Sequence, residues 1–362
     1  MMRFLKFFLI FSIGLVTAYE PHKSIKWIGG NNIEWGTSHV KASYKNSGRF
    51  ISKNIIATRA AIWRDDIFLA LPRYRTGVPI TLAKMSLKGR HSLGMSPFPS
   101  WSHQEEGNCT ALQSVIDIFL DPYELLWALD TGIVNSLENP IASCPPKIVA
   151  YSTKTGKVVK TIDASPLTDG NSRLQYLVVD YSPEGRAFVY VTDAESRAIL
   201  VFDVASGRGY RVILPKSVSL GCSRRDVLYV SLIRRPDHDN RLIFTYLCGS
   251  HVFSIKSSYL QAGSSTGRIR DLGPKGERVV FLGTDNGSAL FFRNEGESDV
   301  YKWDLMESAR DIRMVQKGTP HALPTQVMPD QRRNKMRVLE SNFPDYFEGS
   351  HGYGVNQAIK MF

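Results

Sequence analysis

The feature that most constrains this chain is a rhythm of short strands. From about Asn54 to Phe343, apolar or alternating runs are broken by turn clusters at roughly eight-to-twelve-residue spacing, and helical periodicity is scarce. Ile67-Phe68-Leu69-Ala70-Leu71 follows Ala61-Ile62-Trp63 across the turn Arg64-Asp65-Asp66. Lys147 to Tyr151 and Lys157 to Ile162 flank Ser152-Thr153-Lys154-Thr155-Gly156, and Ala198 to Asp203 and Gly209 to Leu214 flank Ala205-Ser206-Gly207. A sandwich uses about 100 residues, whereas this rhythm fills about 290. Radial repetition of four-stranded sheets absorbs that many strands, and at roughly 40–50 residues per blade it predicts about six blades. The expected fold is therefore all-β, a six-bladed β-propeller.

Weak repeats support this reading. Leu126-Trp127-Ala128-Leu129-Asp130, Ala187 to Asp193 and Val279 to Asp285 are each an apolar strand ending in an acidic residue. The terminal Asp is suited to accept hydrogen bonds from loop amides. Ile33-Glu34-Trp35 through Val40 and Tyr44 has strand character, and an N-terminal strand is expected to close the ring and leave no bare sheet edge. The propeller is expected over residues 19–347, with 348–362 an irregular tail.

Met1 to Ala18 has a basic start (Arg3, Lys6), an apolar run from Phe7 to Val16 and a small residue at Ala18. This is the pattern of a secretory signal peptide, too short for a membrane span. The four cysteines form no CxxC and have no histidine at zinc-like spacing. In an oxidising compartment they suggest two disulfides. Of three pairings, Cys109–Cys144 and Cys222–Cys248 are expected, because each pair flanks one local stretch of strands. Each is worth roughly 3–4 kcal/mol in the chain-entropy account. Asn286-Gly287-Ser288 and Asn108-Cys109-Thr110 are N-glycosylation sequons, the second hindered by its cysteine. The net charge of +11 suits acidic extracellular partners rather than nucleic acid.

Several segments resemble the yellow / major royal jelly family: Ile62 to Leu82 with its Leu71-Pro72-Arg73-Tyr74 and Gly77-Val78-Pro79, Pro97-Phe98-Pro99-Ser100-Trp101, Leu126-Trp127-Ala128-Leu129-Asp130-Thr131-Gly132, and Cys144-Pro145-Pro146-Lys147-Ile148. The match is strong up to Leu214 and scattered beyond it. Asp121-Pro122-Tyr123-Glu124 and Lys275-Gly276-Glu277-Arg278 depart from the family pattern. The variant is most similar to the g-type yellow proteins of insects. That resemblance implies a secreted, non-enzymatic role in eggshell or cuticle matrix. Other members imply amine binding at the propeller mouth, and the matching positions here are Thr325, Asn342 and Phe343. Still others imply conversion of melanin precursors, which needs a titratable group in the central channel.

No HExxH, GxSxG, phosphate loop or GxGxxG occurs. No catalytic residue, metal or cofactor is expected. Asp130-Thr131-Gly132 invites an aspartic-protease reading, but that chemistry needs two carboxylates sharing a proton, and there is one such motif. A structural turn is expected there, and a solvated loop at His103 with Glu105 and Glu106. If the N-terminal segment is a cleaved signal, the protein expressed in insect cells accumulates in the medium with Tyr19 as its first residue. N-terminal sequencing that finds Met1 retained would contradict this.

Overall fold

The computed structural model describes residues 24–88, 94–223, 226–236, 240–263, 268–276, 278–306 and 311–362. The expected signal peptide, residues 1–18, lies outside them. Six antiparallel four-stranded sheets account for nearly all of the regular structure, beside one small hairpin. Their innermost strands are Arg59–Trp63, Val115–Leu120, Leu174–Tyr181, Leu228–Ile233, Val279–Thr284 and Leu323–Asp330, in blades 1 to 6. Each packs against the next and the sixth against the first, so the sheets form a six-bladed β-propeller around a central axis.

Most expected strands form where the apolar runs lie, and Arg64-Asp65 turns between Trp63 and Asp66 with Arg64 at φ 57°. The ring closes in the sixth blade, where Ser24–Ile28 pairs with Asn356–Met361. This corrects two expectations. An N-terminal strand closes the ring as expected, but it is Ser24–Ile28 and not the segment from Ile33 to Tyr44. Ser38–Asn46 is a helix, begun by Thr37, whose hydroxyl accepts from the Val40 amide at 3.2 Å. Trp35 and Tyr44 instead join Phe50 and Trp101 in an aromatic cluster. Residues 348–362 are not an irregular tail either. After the glycine-rich turn, Gln357 and Ile359 are buried on alternate positions of a strand between Lys335–Ser341 and Ser24–Ile28.

The blades are stitched at the axis by side chains that accept a backbone amide from the next blade. Gln326 accepts from Ala60, Thr81 Oγ1 from Val115 (2.7 Å), Asp117 from Leu177 (2.7 Å) and Gln175 from Leu228 (2.8 Å). Register shifts between Val115 and Asp117, Leu174 and Leu177, and Pro324 and Gln326 turn three of these side chains out of the ladder toward the neighbour. Gly283, at φ 138°, lies so close to blade 6 that a Cβ would meet the Val327 carbonyl oxygen at 2.3 Å.

The outer motifs have structural explanations. Asp130 is fully buried; it accepts from the Gln113, Ser114 and Gly132 amides and pairs with Lys147 at 3.1 Å. Gly132, at φ 70°, leaves no room for a Cβ, which would meet the Cys144 carbonyl oxygen at 1.9 Å. The Asp-Thr-Gly sequence is thus a turn docked on the Cys109–Cys144 disulfide loop, and the second disulfide joins Cys222 and Cys248. Asp193 likewise accepts from the Arg173 amide, and Asp285 from those of Gly287 and Ala289.

Arg73 is buried and donates to the carbonyls of Val78, Pro79, Gln104, Leu112 and Gln113, with Glu106 at 3.7 Å. It ties three loops of blades 1 and 2. Removing such a group leaves buried acceptors unmatched. Arg73→Met is expected to lower the unfolding free energy by about 3–5 kcal/mol in urea denaturation, and a loss below about 1 kcal/mol would contradict this role.

Candidate functional site

At the axis the six inner strands leave a channel of about 690 Å³. It runs from a layer near the strand starts to the first turns of the blades, where Arg64, Glu124, Arg234, Asn286 and Arg332 line it. The inner layer takes one residue from each blade: Arg59, Asp117, Tyr176, Tyr229, Phe281 and Gln326. Arg59 Nε stands 3.3 Å from Asp117. The Arg59 guanidinium lies 4.8 Å from the Tyr176 ring centre; Tyr176 and Tyr229 follow at 5.3 Å, and Tyr229 and Phe281 at 5.9 Å. An ion pair on one side of the axis thus continues into an aromatic ladder on the other.

The electrostatics follow from burial. Asp117 is buried, and desolvation lifts its carboxyl to about 6 against the pull of Arg59 and of two backbone amides, Leu177 at 2.7 Å and Ile118 at 3.0 Å. Burial works against the charge on Arg59, yet Tyr176 and Asp117 carry its pKa above the ordinary value. Burial also raises the Tyr176 and Tyr229 phenols, which keeps both as proton donors at neutral pH. The layer therefore holds one carboxylate poised to take a proton, one fixed cation and two hydroxyls.

The other two channel carboxylates are committed. Asp121 accepts from Trp127 Nε1 (2.8 Å), the Tyr181 hydroxyl and the Tyr123 and Leu125 amides. Glu124 faces Arg64 at 3.5 Å. Four arginines (59, 64, 234, 332) against three carboxylates (117, 121, 124) give the lining a surplus of positive charge.

Thr325, Asn342 and Phe343 do not line this channel. Thr325 lies behind Arg59, which donates to its carbonyl oxygen, and its hydroxyl donates to Leu339 O at 3.3 Å. Asn342 precedes the helix Phe343–Glu348; its amide donates to Asp345 at 2.9 Å and its carbonyl accepts from the Asn356 amide at 2.9 Å. Phe343, like Tyr74 and Leu137, packs against the buried cluster of Ile56, Tyr346 and Val355. Tyr74 links that cluster to the layer, since Tyr176, Arg59 and Asp117 are close enough to act on its phenol, which burial raises to about 12. His103 contacts Ser100 at 3.0 Å, and Glu106 serves Arg73. Asn286 sits half-buried in a left-handed turn on the channel rim, and Asn108 is exposed, its carbonyl held by Thr110.

Neither Arg59 nor Asp117 was among the expected site residues. The available signal was Asp117 itself, a lone carboxylate inside the apolar run Ser114 to Leu120. Tyr176 and Tyr229 hold matching places in their strands but read as ordinary strand aromatics.

The family model described as major royal jelly protein matches residues 113–359. A dopaminechrome tautomerase of Drosophila melanogaster is 30% identical over 173 residues, 46% of this chain and 37% of that protein. Major royal jelly protein 2 of Apis mellifera is 32% identical over 41% of this chain and 34% of its own length, and major royal jelly protein 9 is 26% identical over 56% and 51%. The chain thus spans about a third to a half of the length of these curated relatives. Among solved structures, the calcium-binding protein regucalcin from Agrobacterium tumefaciens is similar with a TM-score of 0.49 and 12% identity, over 86% of this chain and 92% of that one.

A carboxyl held near 6 by burial has a direct spectroscopic test. In infrared titration the Asp117 carboxyl is expected to give a protonation step near pH 6 that is missing from Asp117→Asn. A spectrum with no step assignable to Asp117 above pH 5 would contradict the assignment.

Proposed function

The chain belongs to the major royal jelly protein family, and from that premise we propose that it is an extracellular protein whose central channel binds a small quinonoid aromatic and moves a proton on it. The observation that carries the reading is the buried Asp117 carboxylate, lifted to about 6, facing the channel beside Arg59, Tyr176 and Tyr229. A general base works best with a pKa near the operating pH. A flat aromatic would lie on the tyrosine ladder. Asp117 would take the proton from a ring carbon. As that C–H bond breaks, its electron pair moves through the ring to a carbonyl oxygen. Arg59 and the tyrosine hydroxyls would stabilise the negative charge there, and a proton arriving at that oxygen completes the isomer. The step is a tautomerisation, so it needs no oxidant or reductant. The tautomerase activity named for the Drosophila relative supports it.

Amine binding has less support in this channel. A bound cation would face Arg59 and the arginine surplus, and each channel carboxylate already has a partner. The second reading is a matrix role in eggshell or cuticle through acidic extracellular partners. What supports it is the net charge of +11 and the resemblance to g-type yellow proteins. Loss of binding to acidic matrix extracts at high salt would separate it from channel chemistry.

Purified protein is expected to accelerate aminochrome decay to the dihydroxyindole isomer. Its kcat/KM should be level above about pH 7 and fall as pH drops through about 6, where Asp117 takes up its proton. Asp117→Asn should lose roughly 10²–10⁴-fold in rate. Wild-type protein no faster than buffer would end the proposal.

A further inference from the structure

Three of the four channel arginines stand against a carboxylate. Arg59 faces Asp117, Arg64 faces Glu124, and Arg332 faces Asp65. Arg234 has no carboxylate within salt-bridge distance among the described residues. It follows the inner strand of blade 4 and is fixed there, because its backbone amide donates to Gly287 O of blade 5 at 3.0 Å. Its guanidinium is 5.8 Å from the centre of the Phe119 ring, and its side-chain hydrogen bond is to Val179 O at 3.4 Å.

The two carboxylates that act on Arg234, beside the Tyr181 phenol, are engaged elsewhere. Asp121 is committed to Trp127, Tyr181 and two amides. Asp180 accepts from Asn240 at 2.8 Å and Gln261 at 3.5 Å. Burial pulls the Arg234 pKa down against the weaker opposing effect of Asp180, Asp121 and Tyr181, none of which forms an ion pair with it. A guanidinium carries five N–H donors in a planar fork. Most of this fork is unspent, and the residue lines the channel.

Its position sets the reach needed to span from it to the inner layer. Phe119 lies two residues beyond Asp117 on one inner strand, and Val179 three beyond Tyr176 on the next. At about 3.3 Å per residue, the guanidinium stands roughly 7–10 Å from the Arg59–Asp117 layer. A bicyclic aromatic acid can span that gap, with its ring among the tyrosines and its carboxylate at the far end.

We infer that Arg234 is a carboxylate subsite of the channel, and that the ligand is an aromatic acid whose ring rests on Tyr176 and Tyr229 while Arg234 clamps its carboxylate. This rests on the channel being the aromatic site proposed above. A two-pronged arginine–carboxylate contact is strong and orienting. It would make the protein discriminate between an aromatic acid and the same ring without its carboxylate.

The test compares 5-hydroxyindole-2-carboxylate with 5-hydroxyindole by calorimetry, on wild type, Arg234→Gln and Arg234→Lys. Wild type is expected to bind the acid at least tenfold more tightly. Arg234→Gln should bring the acid down to the level of 5-hydroxyindole while leaving 5-hydroxyindole affinity unchanged, which also shows that the variant is folded. Arg234→Lys should restore part of the difference. Equal binding of the two probes by wild type, or a full preference retained in Arg234→Gln, overturns the subsite and leaves the aromatic channel standing. Wild type that binds neither probe overturns the channel reading and this inference with it.

Discussion

Everything in this molecule depends on the strands Ser24–Ile28 and Asn356–Met361 meeting in one sheet. A ring of sheets covers both faces of every blade only when the last inner strand packs on the first. Here the sixth blade takes its outermost strand from Ser24–Ile28 and its third from Asn356–Met361. That closure sets Leu323–Asp330 beside Arg59–Trp63, with Gln326 accepting from the Ala60 amide and Arg59 donating to the Thr325 carbonyl. With the circle complete, six side chains from distant parts of the sequence face one another across a channel. Asp117 has two tasks there: it stitches blade 2 to blade 3 through the Leu177 amide, and it presents its carboxylate beside Arg59.

The same closure sets the chemistry. Ring packing removes water from Asp117 and the tyrosines, and desolvation raises all of their pKa values. Arg59 keeps the carboxylate from being an isolated buried charge, which would be far more costly. A neutral ion pair beside three neighbouring aromatics, their rings tilted by 34° and 36° from one to the next, suits a polarised, flat molecule better than a simple cation. The arginine surplus toward the blade turns extends that preference to molecules with an acidic end.

Much of the fold was legible in the sequence, because strand periodicity and turn chemistry are local. The turn at Arg64-Asp65, the strand pairs around Thr155-Gly156 and Ser206-Gly207, and the capping role of Asp130 and Asp193 could be read from neighbouring residues alone. The closing strand could not. Ile33 to Tyr44 has strand character, but Thr37 caps a helix, and the true closing pair depends on a partner more than 300 residues away. Residues 356–361 are too short a run, behind too many glycines, to announce a strand before the ring is assembled. The site was the least legible part. Arg59, Asp117, Tyr176 and Tyr229 share no motif and meet only through propeller closure. Thr325, Asn342 and Phe343 lie behind that layer or in the loop cluster capped by Tyr346.

The central claim is that the layer of Arg59, Asp117, Tyr176 and Tyr229 is where a ligand is held. The most direct measurement is a crystal structure of the protein with 5,6-dihydroxyindole, the product-like aromatic. The account predicts electron density for a planar ring against Tyr176 and Tyr229, with an oxygen within hydrogen-bonding distance of Arg59. A ring bound instead among Thr325, Asn342 and Phe343, with the channel unoccupied, would contradict it.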